Sequence, residues 1–259
     1  MSELIQVQHD GFITTVTLNR HEHLNAITLA MWRQLTNEIE ALSFDDTLRC
    51  IIIRGAGEKA FSSGCDIAEF SQLRANRQQG VEYGIAMHTA AATLAACPVP
   101  LVAQIHGICI GGGLEIASLC DIRICGESSR FGAPVKHLGL AMAYPELTSI
   151  IRLTGADVAL EILLEGRIFD AQEAKEKRLV TRIVPDAQVE AEALLAAKRI
   201  ADGAPLVARW HKKFVRRLSD PGAITQDEYL ECFDCFDTDD YRNGYSSFLA
   251  KKKPAFAGR

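Results

Sequence analysis

The segment from Gln104 to Glu115 reads Gln-Ile-His-Gly-Ile-Cys-Ile-Gly-Gly-Gly-Leu-Glu. Three consecutive glycines cost backbone entropy, so they persist where another group must approach the main chain closely. Set between a strand and a helix, Gly111, Gly112 and Gly113 leave unpaired N–H groups that hold an anion or polarise a carbonyl oxygen. Glu115 follows within the first helical turn, where its carboxylate would face the same pocket. A tight turn with a capping glutamate is the plainer alternative. The Gly-x-Gly-x-x-Gly spacing and a ribose-binding acid after it are both missing, which rules out a dinucleotide fingerprint. A second stretch, residues 55–67, gathers small residues around one glycine in Ala60-Phe-Ser-Ser63-Gly64-Cys65-Asp66-Ile67. It also reads as an ordinary strand-to-helix loop capped by Asp66. Two such loops at the ends of neighbouring parallel strands would set two N–H groups on one oxygen. That geometry stabilises an enolate or a tetrahedral anion.

The elements that must position these loops show in the hydrophobic pattern. Residues 4–9 and 12–18 alternate around Asp10-Gly11, as a hairpin does. Thr28 caps an amphipathic helix through about Leu42. Cys50-Ile-Ile-Ile53 and residues 101–105 read as strands buried on both faces, with a helix over 81–96 between them and a further strand over 122–125. From about Asp157 the pattern predicts helix after helix, over 158–164, 171–177, 187–201, 206–218 and 225–248. Strand–helix alternation followed by helices alone predicts a mainly parallel sheet with a helical cap or oligomerisation layer.

Composition narrows the class. The 259 residues are 48% hydrophobic and 24% charged, with a net charge of −5 at pH 7. An acidic total argues against a nucleic-acid partner. No apolar run reaches membrane-spanning length, and the first residues lack a signal-peptide pattern. Six of the eight cysteines lie in or beside apolar stretches, which suits reduced thiols in a cytoplasmic protein. Cys232-Phe-Asp-Cys235 has a redox or half-zinc spacing without a second ligand pair.

Taken together these segments resemble the crotonase superfamily, the enoyl-CoA hydratase/isomerase family. The resemblance spans nearly the whole chain. It runs through Val16-Thr-Leu-Asn-Arg20, Leu24-Asn-Ala26, Ile51-Ile-Ile-Arg-Gly55 and the Gly64 loop, then His106-Gly107, the triple glycine and Cys120-Asp-Ile-Arg123. It continues through Phe131-Gly-Ala-Pro134, Gly166-Arg167, Ala171-Gln-Glu-Ala174 and Leu179-Val180. It implies an α/β fold, a crotonase-like (ClpP/crotonase) spiral of strand-strand-helix repeats over residues 1–200, with helical trimerisation elements over 201–259 that build trimers or hexamers. It implies acyl-CoA substrates, with no metal and no cofactor beyond the coenzyme A of the substrate itself, and no membrane partner. The N–H groups of Cys65 and Gly112 would form the oxyanion hole for the thioester oxygen, and a side chain at Gly112 would enter that oxygen's space. His23, Leu24, Ala26, Ser63, Gly64, Asp66 and Ile67 would contact CoA. Gly111, Pro134, Val135 and Leu140 would belong to the same binding surface. Phe256, after the Lys251-Lys-Lys253 run, would reach toward CoA, often from a neighbouring subunit. That run also reads as a solvated tail.

Departures from the family pattern are equally specific. Glu22 stands where a lysine commonly faces the nucleotide. Hydratases use two glutamates; Glu115 matches the first, while the second position is Val135, which cannot transfer a proton. The turn that follows is Gly139-Leu-Ala-Met-Ala-Tyr144-Pro-Glu146, and Glu146 falls near where some relatives place a working carboxylate. Pro145 and Glu146 also make a plain helix start. Tyr144 is a weaker candidate for a proton donor or substrate contact, and His137 for a wall residue. His21 and His23 lack a carboxylate partner for a metal and read as a surface loop. The expectation is an acyl-CoA-processing enzyme, nominally an enoyl-CoA hydratase with Glu115 and Glu146 as catalytic candidates. Double-bond isomerisation, related carbanion chemistry, and a catalytically weak acyl-CoA binder are the alternatives.

Overall fold

The computed structural model describes residues 3–259. Strand β1 (Ile5–Asp10) turns back antiparallel into β2 (Ile13–Leu18). Helix α1 (Leu29–Ser43) starts at Thr28, whose hydroxyl accepts from the Met31 N–H at 3.2 Å. Strands β3 (Cys50–Gly55) and β4 (Ala60–Ser62) lead to a short α2 (Phe70–Leu73) and a long α3 (Arg77–Ala96). Next, β5 (Leu101–Ile105) and β6 (Ile108–Ile110) lead to α4 (Gly112–Leu119). A third turn takes β7 (Ile122–Gly126) and β8 (Arg130–Gly132) into α5 (Tyr144–Thr154) and α6 (Ala156–Glu165). The chain then forms β9 (Phe169–Asp170), α7 (Ala171–Glu176), β10 (Arg182–Val184) and α8 (Val189–Ala201). Helices α9 (Pro205–Arg217), α10 (Gln226–Glu231) and α11 (Asp239–Leu249) complete it.

After the β1–β2 hairpin, each successive pair of strands is split between two sheets. The larger runs β1-β2-β3-β5-β7-β10 and the smaller β4-β6-β8-β9. Only β1–β2 and β8–β9 pair antiparallel; the other pairings between these strands are parallel. This is the spiral of strand-strand-helix repeats that the sequence implied. The three-residue strands of the smaller sheet, and β10, escaped sequence reading because a period of two cannot show in so few residues.

The apolar run in β3 is continuous because both faces are covered. Ile51 and Ile53 pack into the main core with α1 and α3, while Cys50 and Ile52 face the other way, toward α8. Ala193, Ala196, Ala197 and Ala201 give α8 a small-residue face that lets it lie close on the sheet.

Two helix assignments change. The helix expected over 81–96 begins at Arg77, because Asn76 accepts from the Gln79 N–H at 3.0 Å and caps it. The helix expected over 225–248 is broken by a 3₁₀ turn at Asp234–Asp237, and Thr238 starts a new helix by capping Tyr241. An aromatic series from Tyr229 through Phe233, Phe236 and Tyr241 to Tyr245 packs edge-on, tilted or stacked across that break.

Asp121 joins the C-terminal helices to the sheet. Its carboxylate accepts from the Leu101 N–H at 2.7 Å and pairs with Lys212 at 2.8 Å and Arg216 at 2.9 Å, both on α9. Burial pulls the Lys212 ammonium below the usual lysine range, and Asp121 opposes that shift. Among the described residues no helix is long and apolar enough to cross a membrane.

Candidate active site

The two glycine loops meet because β4 and β6 are parallel neighbours, with Ser62 opposite Cys109. The supporting strands are thus the short pair of the smaller sheet, not the buried strands β3 and β5. A Cβ built on Gly64 would lie 3.1 Å from the Ile110 carbonyl oxygen and 3.4 Å from the Gly112 nitrogen. One on Gly113 would lie 2.6 Å from the Ser62 carbonyl oxygen. A side chain at either point would push the start of α4 off the end of β4.

Each candidate donor follows a glycine with positive φ: Gly64 (+97°) precedes Cys65, and Gly111 (+53°) precedes Gly112. Few other residues hold that conformation without strain. It turns both N–H groups out of the strands, and neither donates to any of the described residues. Cys65 and Gly112 both line one cavity, together with Ser63, Gly64, Ile67 and Gly111.

The Gly64 loop is braced from behind. Ser62 Oγ donates to the Asn25 carbonyl at 2.8 Å and accepts from the Gly64 N–H at 3.1 Å. Asn25, fully buried, donates to the Ala56 and Ala60 carbonyls at 3.0 and 2.7 Å. Asp66 accepts from the Ala68 N–H at 3.1 Å and pairs with Arg20 at 2.9 Å.

Glu115 also lines the cavity and is 2% exposed; its Oε1 has no hydrogen-bond partner among the described residues. Burial first, and the Glu146 charge second, push its carboxyl up to about 8. Glu146 enters from α5 and accepts a 3.0 Å hydrogen bond from His88 Nε2, on α3, when that nitrogen carries the proton. One turn beyond each glutamate, Ser118 and Ser149 share a 2.8 Å hydrogen bond. That bond fixes the register of α4 against α5 and so the approach of the two carboxyl groups.

Of the expected substrate-contacting residues, Pro134, Val135 and Leu140 line the cavity as well. His23, Leu24, Ala26 and Asp66 do not. His23 lies in an exposed 3₁₀ turn, the Leu24 carbonyl accepts from the Ser63 N–H at 3.0 Å, and the Ala26 carbonyl from Arg20 at 2.7 Å. They form the outer wall of the Gly64 loop. Phe256 is also elsewhere: its ring lies against Gly244, and its carbonyl accepts from Arg49 Nη2 at 2.6 Å. Asp240 accepts from the next two N–H groups and pins the tail to its own subunit. The lysine run is exposed, with Lys253 3.2 Å from Asp202. Tyr144 is 90% exposed and, like His137, outside the cavity lining.

A Cβ on Gly112 would lie 3.0 Å from the Trp32 ring and 3.6 Å from Cys65 Sγ, so packing against Trp32 is a further reason for glycine there. Sequence reading missed Phe70, Arg74, Met87, Leu138, Ala141 and Met142 in the lining, and His88 behind Glu146. The one available signal was the helical spacing that sets Met87 one turn after Tyr83.

Glu115 ionises near pH 4.5 when unfolded and about 8 when folded. Between those values only the unfolded chain loses the proton, so stability falls as pH rises through that window and then levels. Glu115→Gln should therefore gain melting temperature relative to the parent progressively as pH rises from about 5 to 8. Calorimetry across that range checks this, and a difference that stays constant with pH contradicts it.

Known proteins share this fold over nearly the whole chain. The enoyl-CoA hydratase/isomerase family profile matches residues 8–259. The short-chain-enoyl-CoA hydratase of Clostridium acetobutylicum is 29% identical over 249 residues, covering 95% of each chain. The 2,3-dehydroadipyl-CoA hydratase of Escherichia coli is 31% identical over 262 residues, covering 100% of each. The crystal structure of an enoyl-CoA hydratase/carnithine racemase from Magnetospirillum magneticum superposes with a TM-score of 0.98 at 49% identity, covering 100% of this chain and 97% of that one. The enoyl-CoA hydratase structure from Bacillus anthracis gives 0.91 at 28%, covering 99% and 100%. The chain belongs to the enoyl-CoA hydratase/isomerase family.

Proposed function

We propose that this protein hydrates 2-enoyl-CoA thioesters, with coenzyme A entering as part of the substrate. One observation carries the reading: two unpartnered N–H groups, each set by a positive-φ glycine, open onto the same cavity as two glutamates from different helices. The thioester oxygen sits on the Cys65 and Gly112 N–H groups, which stabilise charge as the enolate builds. Glu146 takes a proton from water as its oxygen bonds to the β-carbon. Glu115, protonated near neutral pH, delivers a proton to the α-carbon. The proton taken by Glu146 returns to Glu115 as product leaves, so one water is added in all. His23, Leu24, Ala26 and Asp66 hold the CoA portion along the outside of the Gly64 loop, and Phe256 serves CoA only from a neighbouring subunit. No step calls for a metal ion or a redox cofactor.

Val135 favours a second reading. With no carboxyl at that position, a single carboxylate can remove and return a proton in double-bond isomerisation, and Glu146 takes that part while Glu115 holds its proton. Incubation of crotonyl-CoA in heavy-oxygen water separates the two: a product carrying the heavy oxygen is expected, and a product without it overturns hydration.

The donors themselves are best tested at Gly64. Gly64→Ala should cost turnover about 10²-fold or more, the worth of one oxyanion donor, while circular dichroism stays like the parent's. A variant with parental turnover contradicts the assignment.

Residues 201–259 form the contact between subunits, in a cytoplasmic trimer or hexamer. Support comes from the exposed apolar side chains of α10 and α11, including Phe248 at 79% and Leu249 at 77%. Sedimentation equilibrium should return three or six times 28.4 kDa; a monomer contradicts it.

A further inference from the structure

Arg74 is the one cation among the described residues that line the active-site cavity. Its guanidinium carbon stands 4.6 Å from the Phe70 ring centroid and 4.9 Å from that of Tyr83. Two rings on one guanidinium hold its plane and free its N–H groups to point elsewhere. Among the described residues its side chain has no ion-pair or hydrogen-bond partner; only its backbone N–H is engaged, with the Phe70 carbonyl at 2.9 Å. By contrast Arg20, Arg49, Arg123 and Arg216 each brace backbone carbonyls.

Its position is inside the site. Tyr83 is 1% exposed, and the Arg74 charge is felt at the Cys65 thiol. The lining residues Leu138, Leu140 and Met142 are apolar and supply no anion. Both carboxyl groups of the cavity are committed, Glu146 to His88 and Glu115 to holding its proton near neutral pH. A neutral hydrocarbon chain in this cavity would lie against a cation and gain nothing from it. A chain ending in a carboxylate would meet the planar, forked donor set that guanidinium offers to carboxylates.

We propose that Arg74 selects acyl chains that end in a carboxylate, so that the preferred substrate is an enoyl-CoA thioester of a dicarboxylic acid. This rests on the reading of the cavity as an acyl-CoA site. The CoA phosphates carry the same kind of charge, but they belong with the Leu24–Ala26 wall outside the cavity, whereas Arg74 lies within it.

The test compares pent-2-enoyl-CoA with enoyl-CoA thioesters of five and six acyl carbons that end in a carboxylate, for the parent, Arg74→Lys and Arg74→Met. The parent should favour a carboxylated substrate in kcat/KM by about 10–10²-fold, the worth of charge-assisted hydrogen bonding. Arg74→Met should bring the ratio to about one or reverse it, and Arg74→Lys should keep part of it, since a point charge lacks the fork. Calorimetric titration with glutaryl-CoA and valeryl-CoA reads the same preference without turnover. If none of the three enoyl thioesters reacts but glutaryl-CoA binds more tightly than valeryl-CoA through Arg74, the hydratase reading fails and the selection of carboxylate-ended chains by Arg74 stands. No preference in the parent for either carboxylated chain length overturns the proposal. So does an equal loss in Arg74→Met for all three substrates that disappears with pantetheine thioesters, because that pattern assigns Arg74 to the nucleotide phosphates.

Discussion

Everything in the site depends on how closely two stretches of backbone approach at Gly64 and Gly111–Gly113. A Cβ on Gly113 would come within 2.6 Å of the Ser62 carbonyl oxygen, so helix α4 starts directly against the end of β4. Such contact removes all room for side chains and spends conformational entropy that glycine alone can lose so heavily. It yields two N–H groups that donate to none of the described residues. Unsatisfied donors are normally a cost in a folded protein, and here they are left open toward a cavity. The division of each repeat between two sheets serves this contact, because it makes β4 and β6 parallel neighbours. Asn25 and Ser62 hold the loop from its other side.

The carboxyl groups face an opposite constraint. Burying Glu115 without a partner for Oε1 disfavours its charge, and the pocket keeps it protonated near neutral pH. Glu146 is instead bonded to His88, on a third helix. Two like residues thereby sit in unlike surroundings, one buried with an oxygen that has no partner among the described residues and the other bonded to an imidazole. The Ser118–Ser149 bond ties α4 to α5 one turn beyond the two glutamates. Among the lining side chains only Arg74 brings positive charge, and aromatic rings hold it in place.

The C-terminal helices attach through charge. Asp121 meets Lys212 and Arg216 at the strand ends, and the tail beyond α11 is tied down by Arg49 and Asp240. These contacts make Asp121, in the Cys120-Asp-Ile-Arg123 stretch, a docking point for α9. They leave the outer faces of α10 and α11 apolar and open.

The linear sequence by itself determined a good deal. Glycine at 64 and 111–113 announced backbone contact, because no other residue type is retained there without loss. The apolar runs at Cys50–Gly55 and Leu101–Ile105 announced doubly covered strands, and Val135 announced a site with one familiar acid missing. Three features were left to the tertiary structure. The small sheet that carries the loops has strands too short for any periodicity to register. A side chain at Gly112 would meet the Trp32 ring, eighty residues away in sequence, a neighbour that no local pattern announces. The pairing of Glu146 with His88, and the exposure of Arg74 to the cavity, join helices that share no local pattern. Local propensity records what a residue does to its own backbone, whereas proton affinity and charge recognition are set by neighbours that only folding brings together.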